Sequence, residues 1–538
     1  MSSIHRLSEI GHWNILLLEA GQDSTEIDDV PAYKSYLQTD QSTILWPYWT
    51  QPEPSTCGGN PCFWPIGKVL GGTSTINTML YARGFKGDYD HWAKLGNRGW
   101  DWKTVLHYFK KSENNLDEIY ADDTEYHATG GYLSVQTFPY HDENTYNVIK
   151  AYEELGYNNT DYNGPNPTGI FLMQGTVKNG VRQSTNNAFL KPVRHRKNLH
   201  VVTGVRVTKL IFDKHNAAQG VEYVFENDHS QKGQVFAKKE VILSAGALAS
   251  PHILLLSGIG PRKTLSKLGI KVVKDSKVGY NLQNHATSVG VSLTITNTST
   301  VPTSKEEWLN DIREYVDSQD GPLSATGLSQ MSGYFPTSRA TRDYPDIKYG
   351  FSFSDVDTQG VNVPAAYYSK VGIGPYMIRP KSKGFLTINT TDPFSQPLIY
   401  PRLLSHPDDR ARLLEGHLMA LDIAKTKAFR DAGYVLDTTK YPGCEDEAFG
   451  TPGYYECAMV QYVGSAHHYS GTCKMGPRHD RDAVVDPRLR VHGVRKLRVV
   501  DVSITPKIPS ANTNAPAIMI GEKASDMIKE DHGEFVRP

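Results

Sequence analysis

No stretch of this 538-residue chain is apolar for long enough to cross a bilayer as a helix. Its longest apolar runs, such as residues 15–18, 253–256 and 515–520, fall far short of the roughly 20 residues that a span needs. An excess of one charge is also missing. The formal net charge is −1, from 57 basic and 58 acidic side chains. Nothing therefore draws the chain to a polyanion, and nucleic acid is not an expected partner. The G-x-S-x-G elbow, the H-E-x-x-H helix and the G-x-x-x-x-G-K-[ST] loop are all absent, which removes the serine-hydrolase, zinc-protease and P-loop readings. Residues 1–10 carry no visible signal peptide,.

Cysteine is sparse, and its placement is informative. Cys57 and Cys62 flank a Gly-Gly-Asn-Pro turn, Cys444 and Cys457 flank an acidic, aromatic loop, and Cys473 stands alone. Two readings stand: two local disulfides with one free thiol, as in secreted proteins, or five free thiols. Neither pair has the C-x-x-C spacing or neighbouring His of a zinc site. Asn158, Asn297 and Asn389 begin Asn-x-Ser/Thr sequons, which are glycan acceptors only in a secreted chain.

Two styles of patterning alternate along the chain. Residues 14–18 and 241–243 are short, continuous apolar runs, the pattern of strands buried on both faces of a parallel sheet. A loop rich in Pro and Trp is expected over 39–64, a helix over 92–114, and strands over 199–212 and 220–223. A helix should follow 241–243, with Ser250 as N-cap, Pro251 at the first helical position, and Gly258 or Gly260 closing it,. From 285 to 463 the texture changes. Short alternating segments (289–295, 346–353, 384–388) are separated by polar, Pro-rich loops, with one helix over 408–428. That predicts a mainly antiparallel, α+β unit. Residues 497–500 and 521–530 then return to the strand and helix of the first style. The fold class is thus an α/β Rossmann-like unit from 1–284 and 464–538, interrupted by an α+β unit from 285–463.

Four segments carry chemistry. Glu19 ends the 14–18 run, where an acid can accept hydrogen bonds from both hydroxyls of an adenosine ribose. The G-x-G-x-x-G loop that precedes such an acid by about 20 residues would fall at or before Met1. The chain is therefore expected to begin just after that loop. The second segment, GKVLGGTSTIN from 67 to 77, has paired glycines that let backbone approach a flat or phosphorylated ligand. Its hydroxyls are expected to cap a helix facing that ligand. The third is SAGALASPHILLLSGIG, 244–260, a strand, a tight turn and an apolar helix. The fourth joins His467-His468-Tyr469-Ser470-Gly471-Thr472-Cys473 to Ser510-Ala511-Asn512-Thr513-Asn514-Ala515-Pro516. A histidine there can take a proton from an alcohol while a second polar group holds the same oxygen.

In this order, and with Leu497-Arg498-Val499-Val500-Asp501 between them, the four segments resemble the glucose–methanol–choline (GMC) oxidoreductases over essentially the whole chain. The cysteine pairs and their surroundings are most similar to the arthropod branch, which includes FAD/quinone-type glucose dehydrogenases. The resemblance implies FAD in the first unit, with its flavin at the boundary with the second. It assigns Glu19 to the ribose, Gly71, Gly72, Thr73 and Asn77 to the pyrophosphate and flavin, and Val207 to a backbone contact with adenine. Asp501 matches the acid near the pyrophosphate and ribityl chain, and Asn512 and Thr513 also line the cofactor. His468 matches the catalytic base and Asn512 the second catalytic position, whereas His467 and Cys473 are expected to be structural. Ile76 stands where members with histidyl-linked flavin carry the His, so FAD should be non-covalent. Ile66 and Asn284 replace an Arg and an acid common in this branch. The expected reaction is oxidation of the CH–OH group of an alcohol or sugar by hydride transfer to flavin N5, with quinone or oxygen as acceptor. The competing expectation is a flavin-poor, non-catalytic secreted glycoprotein on the same fold.

Overall fold

The computed structural model describes residues 1–39, 42–352 and 364–534. Two parallel strand pairs carry the α/β part. Ile15–Leu18 runs beside Leu199–Val202, and Val241–Leu243 runs beside Leu497–Val499. The three strands Val205–Phe212, Ala218–Phe225 and Asp228–Phe236 form an antiparallel sheet next to them. The second architecture is an eight-stranded sheet whose internal pairings are all antiparallel. Its centre is the pair Ile347–Ser352 and Lys370–Met377. Residue 353, expected at the end of that strand, lies outside the described residues.

Each architecture has its own apolar core. The first gathers Trp64, Trp92, Trp100, Leu254, Val499 and Met519; the second gathers Tyr152, Ile170, Phe335, Ile347, Ile373 and Tyr454. The second core also takes the helix Glu143–Glu154 and the strand Gly169–Leu172, which lie early in the chain. The first core takes Leu386 and Ile399 from the sheet of Gly384–Thr387 and Leu398–Tyr400.

Several elements depart from the sequence expectation, each for a local reason. Leu16 is 42% exposed rather than buried, and among the described residues its strand pairs on one side only. The 39–64 segment contains the strand Leu45–Trp49 and reaches into Phe63–Gly67, and the two pair antiparallel; residues 40 and 41 lie outside the described residues. The helix expected over 92–114 is two helices, Lys86–Lys94 and Trp102–Ser112. Gly96 and Gly99 take positive φ between them, and the Asp101 carboxylate caps the second by accepting from the Thr104 amide at 3.1 Å,. The 408–428 segment likewise forms Pro407–Ile423, followed by the short Lys427–Asp431.

The helix after Val241–Leu243 begins at Gly246, not at Ser250. Its first amide is satisfied from across the fold, by the Asp501 carboxylate at 3.0 Å. Pro251 therefore sits inside the helix and donates nothing,. The Ala247 carbonyl that it would have served takes the Thr472 hydroxyl at 2.7 Å instead. Gly258 closes the helix at φ +87°. The last helix also starts early, spanning Asn514–Asp531. Gly521 lies within it, where a Cβ would meet the Ser2 hydroxyl at 2.2 Å.

Candidate active site

Glu19 and the Val205–Phe212 strand meet through backbone. The Glu19 amide donates to the Val202 carbonyl at 3.0 Å, and the Val205 amide to the Glu19 carbonyl at 2.9 Å. Val207 lies two residues further along that strand, half-buried. The Glu19 carboxylate accepts from its own Gly21 amide at 2.8 Å and makes no ion pair among the described residues. Burial raises its pKa, against the Gly21 amide and the more distant Met1 ammonium and Lys68. A half-buried acid with spare acceptor capacity suits a pair of hydroxyl donors,.

The glycine turn is folded onto itself. Gly71 takes φ +97°, and a Cβ there would meet the Thr75 hydroxyl at 2.5 Å. Gly72 takes φ +57° and faces open space. No helix N-terminus follows: Gly72–Thr75 is a single 3-10 turn without a side-chain cap. The hydroxyls hold the loop instead. Ser74 donates to the Gly71 carbonyl at 2.7 Å and Thr75 to the Leu70 carbonyl at 3.0 Å, while Thr73 accepts from the Gly67 amide at 3.2 Å. Asn77 is pinned by its oxygen, which accepts from the Met79 amide at 2.8 Å and from Arg182 at 3.0 Å. Its NH₂ group makes no hydrogen bond among the described residues. Ile76 is buried and carries no nucleophilic atom.

Asp501 ends the strand Leu497–Val499 and is buried. One oxygen accepts from the Ser250 hydroxyl at 2.6 Å and the Gly246 amide at 3.0 Å; the other accepts from the Ser503 amide at 2.8 Å. Burial raises its pKa, and those donors lower it in part. Thr513 starts the long helix Asn514–Asp531, whose first turn has no side-chain cap and no acid. The buried NH₂ of Asn514 has no partner. A helix start with open amides, an orphaned donor beside it, and open space at Gly72 and at Gly246 (φ +82°) each suit an anionic, flat group. These features fit FAD.

The third cluster brings both halves of the molecule together. The Nε2 of His468 lies 3.2 Å from the Asn512 Nδ2, so the two expected residues meet. The Nδ1 of His468 lies 2.9 Å from the Nδ1 of His285. The Lys348 ammonium, from the centre of the eight-stranded sheet, donates to the Asn512 Oδ1 at 2.6 Å. Burial pulls Lys348 down to about 7 and His285 to about 3. His468 falls well below the ordinary imidazole value, through burial and then through His285, Lys348 and His467. Both His285 and His468 are therefore neutral at physiological pH. His467 takes φ +61° and turns to the Tyr469 hydroxyl at 2.7 Å. Tyr469 stacks on Trp64 at 4.2 Å. Cys473 is buried, and its thiol pKa is pushed up by burial.

Asn284 acts on the backbone. Its oxygen accepts from the His468 amide at 3.0 Å, and its NH₂ donates to the Ser465 hydroxyl at 2.6 Å. Sequence reasoning marked Asn284 only as a departure and did not find His285 or Lys348. The adjacency of His285 to Asn284 was a usable signal; a single lysine in an alternating strand was not. Both disulfides are formed, Cys57–Cys62 and Cys444–Cys457, which excludes five free thiols. Two open surface cavities, of about 920 and 530 Å³, include none of these site side chains.

Comparison with known proteins agrees with this geometry. Residues 48–287 and 380–521 match two family profiles, both described as GMC oxidoreductase. The chain is 42% identical to glucose dehydrogenase [FAD, quinone] of Drosophila melanogaster, over 99% of this chain and 85% of that protein. It is 35% identical to the oxygen-dependent choline dehydrogenase of Brucella anthropi, over 97% and 92%. Pyridoxine 4-oxidase from Mesorbium loti shares the fold with a TM-score of 0.83 at 27% identity, over 99% and 97% of the two chains. This chain belongs to the GMC oxidoreductase family, and it is an oxidoreductase by that membership.

Proposed function

We propose that this chain is an FAD-dependent dehydrogenase or oxidase of a neutral alcohol or sugar, with His468 as proton acceptor and Asn512 as its partner on the substrate oxygen. The observation that carries this reading is the 3.2 Å convergence of His468 Nε2 and Asn512 Nδ2, together with the features that fit the cofactor. The cofactor unit comprises most of residues 1–284 and 464–538 and the substrate unit most of 285–463, with 143–154 and 169–172 packed in the second core and Leu386 and Ile399 in the first. Glu19, Gly71, Gly72, Thr73, Asn77, Val207, Asp501, Asn512 and Thr513 hold FAD without a covalent bond. When bound, FAD supplies a two-electron acceptor for the hydride of the substrate carbon.

The protein's own part is proton chemistry. Neutral His468 offers the Nε2 lone pair to the substrate hydroxyl proton when the substrate oxygen takes over the Asn512 NH₂ that the lone pair otherwise accepts from,. The Asn512 NH₂ donates to the same oxygen and stabilises negative charge as it develops there. Asn284 fixes the His468 backbone, so the ring enters from a set direction. The groups that shift His468 are His285, Lys348 and His467, and no carboxylate is among them. That environment favours a neutral alcohol or sugar and disfavours a quaternary ammonium alcohol such as choline. The name of the Drosophila relative, glucose dehydrogenase [FAD, quinone], supports a sugar substrate and a quinone acceptor. The two disulfides and the exposed sequon residues Asn158, Asn297 and Asn389 support a secreted, glycosylated protein,. The non-catalytic glycoprotein reading is not favoured, since the pair it has no use for stands in working geometry.

The test is a visible absorption spectrum after incubation with FAD and removal of the excess. Retained flavin that bleaches with glucose or other neutral alcohols supports the reading. A chain that retains no flavin, or retained flavin that no alcohol or sugar bleaches, contradicts it.

A further inference from the structure

For His468 to accept a proton, its Nε2 must carry a lone pair, and an imidazole alone does not decide which nitrogen that is. We propose that Lys348 is the positioning residue that fixes the direction of the hydrogen-bond chain Lys348–Asn512–His468–His285 and so keeps Nε2 of His468 unprotonated. The inference rests on the reading of His468 as base.

Each link follows from the one before. An ammonium donates and has no lone pair. Lys348 lies 2.6 Å from the Asn512 side chain, so the amide must present its oxygen to the lysine. Its NH₂ is then turned to His468 Nε2 at 3.2 Å. That NH₂ only donates, so Nε2 must accept. A neutral imidazole carries one N–H, which is then at Nδ1 of His468. It donates to the Nδ1 of His285, 2.9 Å away, and the proton of His285 is left on its Nε2. That Nε2 is buried and has no hydrogen-bond partner among the described residues, although the Pro509 and Ile378 backbone pull toward a proton on the ring against the larger effect of burial.

Only the first link cannot be reversed, as long as Lys348 carries its proton, which it does below about pH 7, so the tautomer is read at pH 6.5. Asparagine can turn its amide over, and each histidine can exchange its tautomer. If Asn512 turned, its oxygen would face His468 and call for a proton on Nε2, and the base would be lost. The lysine is held where it can prevent this. It sits opposite Tyr334 on one neighbouring strand and Tyr376 on the other, and it is 5% exposed. Among the described residues it has no acidic partner; its other side-chain contacts are the Met173 sulfur at 3.7 Å and the Tyr334 ring at 6.0 Å. A buried ammonium without a counter-charge is costly to the fold. Two of its three donors go to the amide and to a weak sulfur acceptor, a poor compensation for the fold that points to function.

The experiment reads the tautomer directly. The protein is labelled with ¹⁵N-histidine, without flavin, and His468 is assigned among the 19 histidines by difference against His468→Gln. Long-range ¹H–¹⁵N correlations should place the proton on Nδ1 in the unchanged protein. In Lys348→Met a fraction should move to Nε2. Lys348→Arg, again a donor without a lone pair, should restore Nδ1. With flavin and an oxidisable alcohol, kcat should fall at least ~10-fold in Lys348→Met, within the ~10²–10⁴-fold worth of a positioned base, with a smaller change in KM. Circular dichroism checks folding, and Lys348→Met keeps the chain length while removing a buried charge. A proton on Nε2 of His468 in the unchanged protein overturns the proposal. So does an unaltered Nδ1 proton in Lys348→Met. If no alcohol is oxidised, the functional reading fails, while the tautomer result still decides the role of Lys348.

Discussion

His285 and His468 meet edge to face, with their Nδ1 atoms 2.9 Å apart, from positions 183 residues apart in the chain. Two like nitrogens at that distance share one proton, so each ring constrains the other. The contact sits at one end of the eight-stranded sheet, because His285 leads into Ala286–Thr287 and His468 follows Gly464–Ser465, two strands that pair with each other.

His468→Ala should lower alcohol-dependent flavin reduction by ~10²–10⁴-fold and leave the melting temperature and bound flavin nearly unchanged. His285→Phe keeps a ring but removes the Nδ1 partner, and should cost less than His468→Ala. Stopped-flow absorbance of the flavin band measures both. Undiminished reduction in His468→Ala would remove that histidine from the mechanism.

Asp501→Ala would strand three donors at once: the Ser250 hydroxyl and the Gly246 and Ser503 amides. Each unsatisfied buried group costs ~1–3 kcal/mol, so a loss of about 3 kcal/mol or more is expected. The start of the Gly246–Leu256 helix, one of the features that fit the cofactor, leans on this carboxylate, so the flavin-to-protein absorbance ratio should fall as well. A variant with full flavin content would show that Asp501 serves the fold alone.

Much of this was legible because the cues were local. An apolar run that ends in an acid marks Glu19 and Asp501, and the strands lie where those runs lie, although only the second run is buried. What escaped depended on partners far away in sequence. Ser250-Pro251 looks like a helix start, yet Asp501 starts that helix four residues earlier and Thr472 repairs the carbonyl that Pro251 abandons. Ser74 and Thr75 look like caps, yet they close their own loop. Lys348 alternates with apolar neighbours as a surface lysine would. Only the sheet's second covered face reveals that it is buried.

The two disulfides close loops of different length, with sequence separations of 5 and 13. On the chain-entropy account they stabilise by about 2 and 3 kcal/mol, so Cys444→Ser should lower the melting temperature more than Cys57→Ser. Cys57 has a second role, since its amide donates to the Val463 carbonyl at 3.2 Å, just before the Gly464–Ser465 strand whose Ser465 hydroxyl takes the Asn284 amide. Cys57→Ser keeps that amide but frees the turn that the Cys57–Cys62 bond holds, so it should also raise KM, whereas Cys444→Ser should not. Thermal melts with and without reductant, beside steady-state kinetics, separate these effects.

Lys348→Met should stabilise the protein, and the gain should depend on pH in a defined direction. Burial holds the lysine near pKa about 7 in the fold, against an ordinary 10.5. Between those values the unfolded chain binds a proton that the folded chain does not, so this residue's contribution to stability rises with pH there. Above about 10.5 both states are neutral and the cost vanishes. Below about 7 both states are protonated and the cost is complete. At about 1.4 kcal/mol per pH unit, the full cost reaches roughly 5 kcal/mol. The hydrogen bond from a charged group to Asn512, worth ~1.5–3 kcal/mol, is lost with the lysine. A net gain of about 2 kcal/mol is expected at pH 6.5, shrinking as pH rises toward 9.5. Urea unfolding of both proteins across that range tests it. A variant less stable than its parent at pH 6.5, or a gain that grows with pH, would mean that the ammonium is better compensated than its surroundings indicate. A gain with the expected slope, together with lower activity, would show stability given up at this residue for the sake of the site.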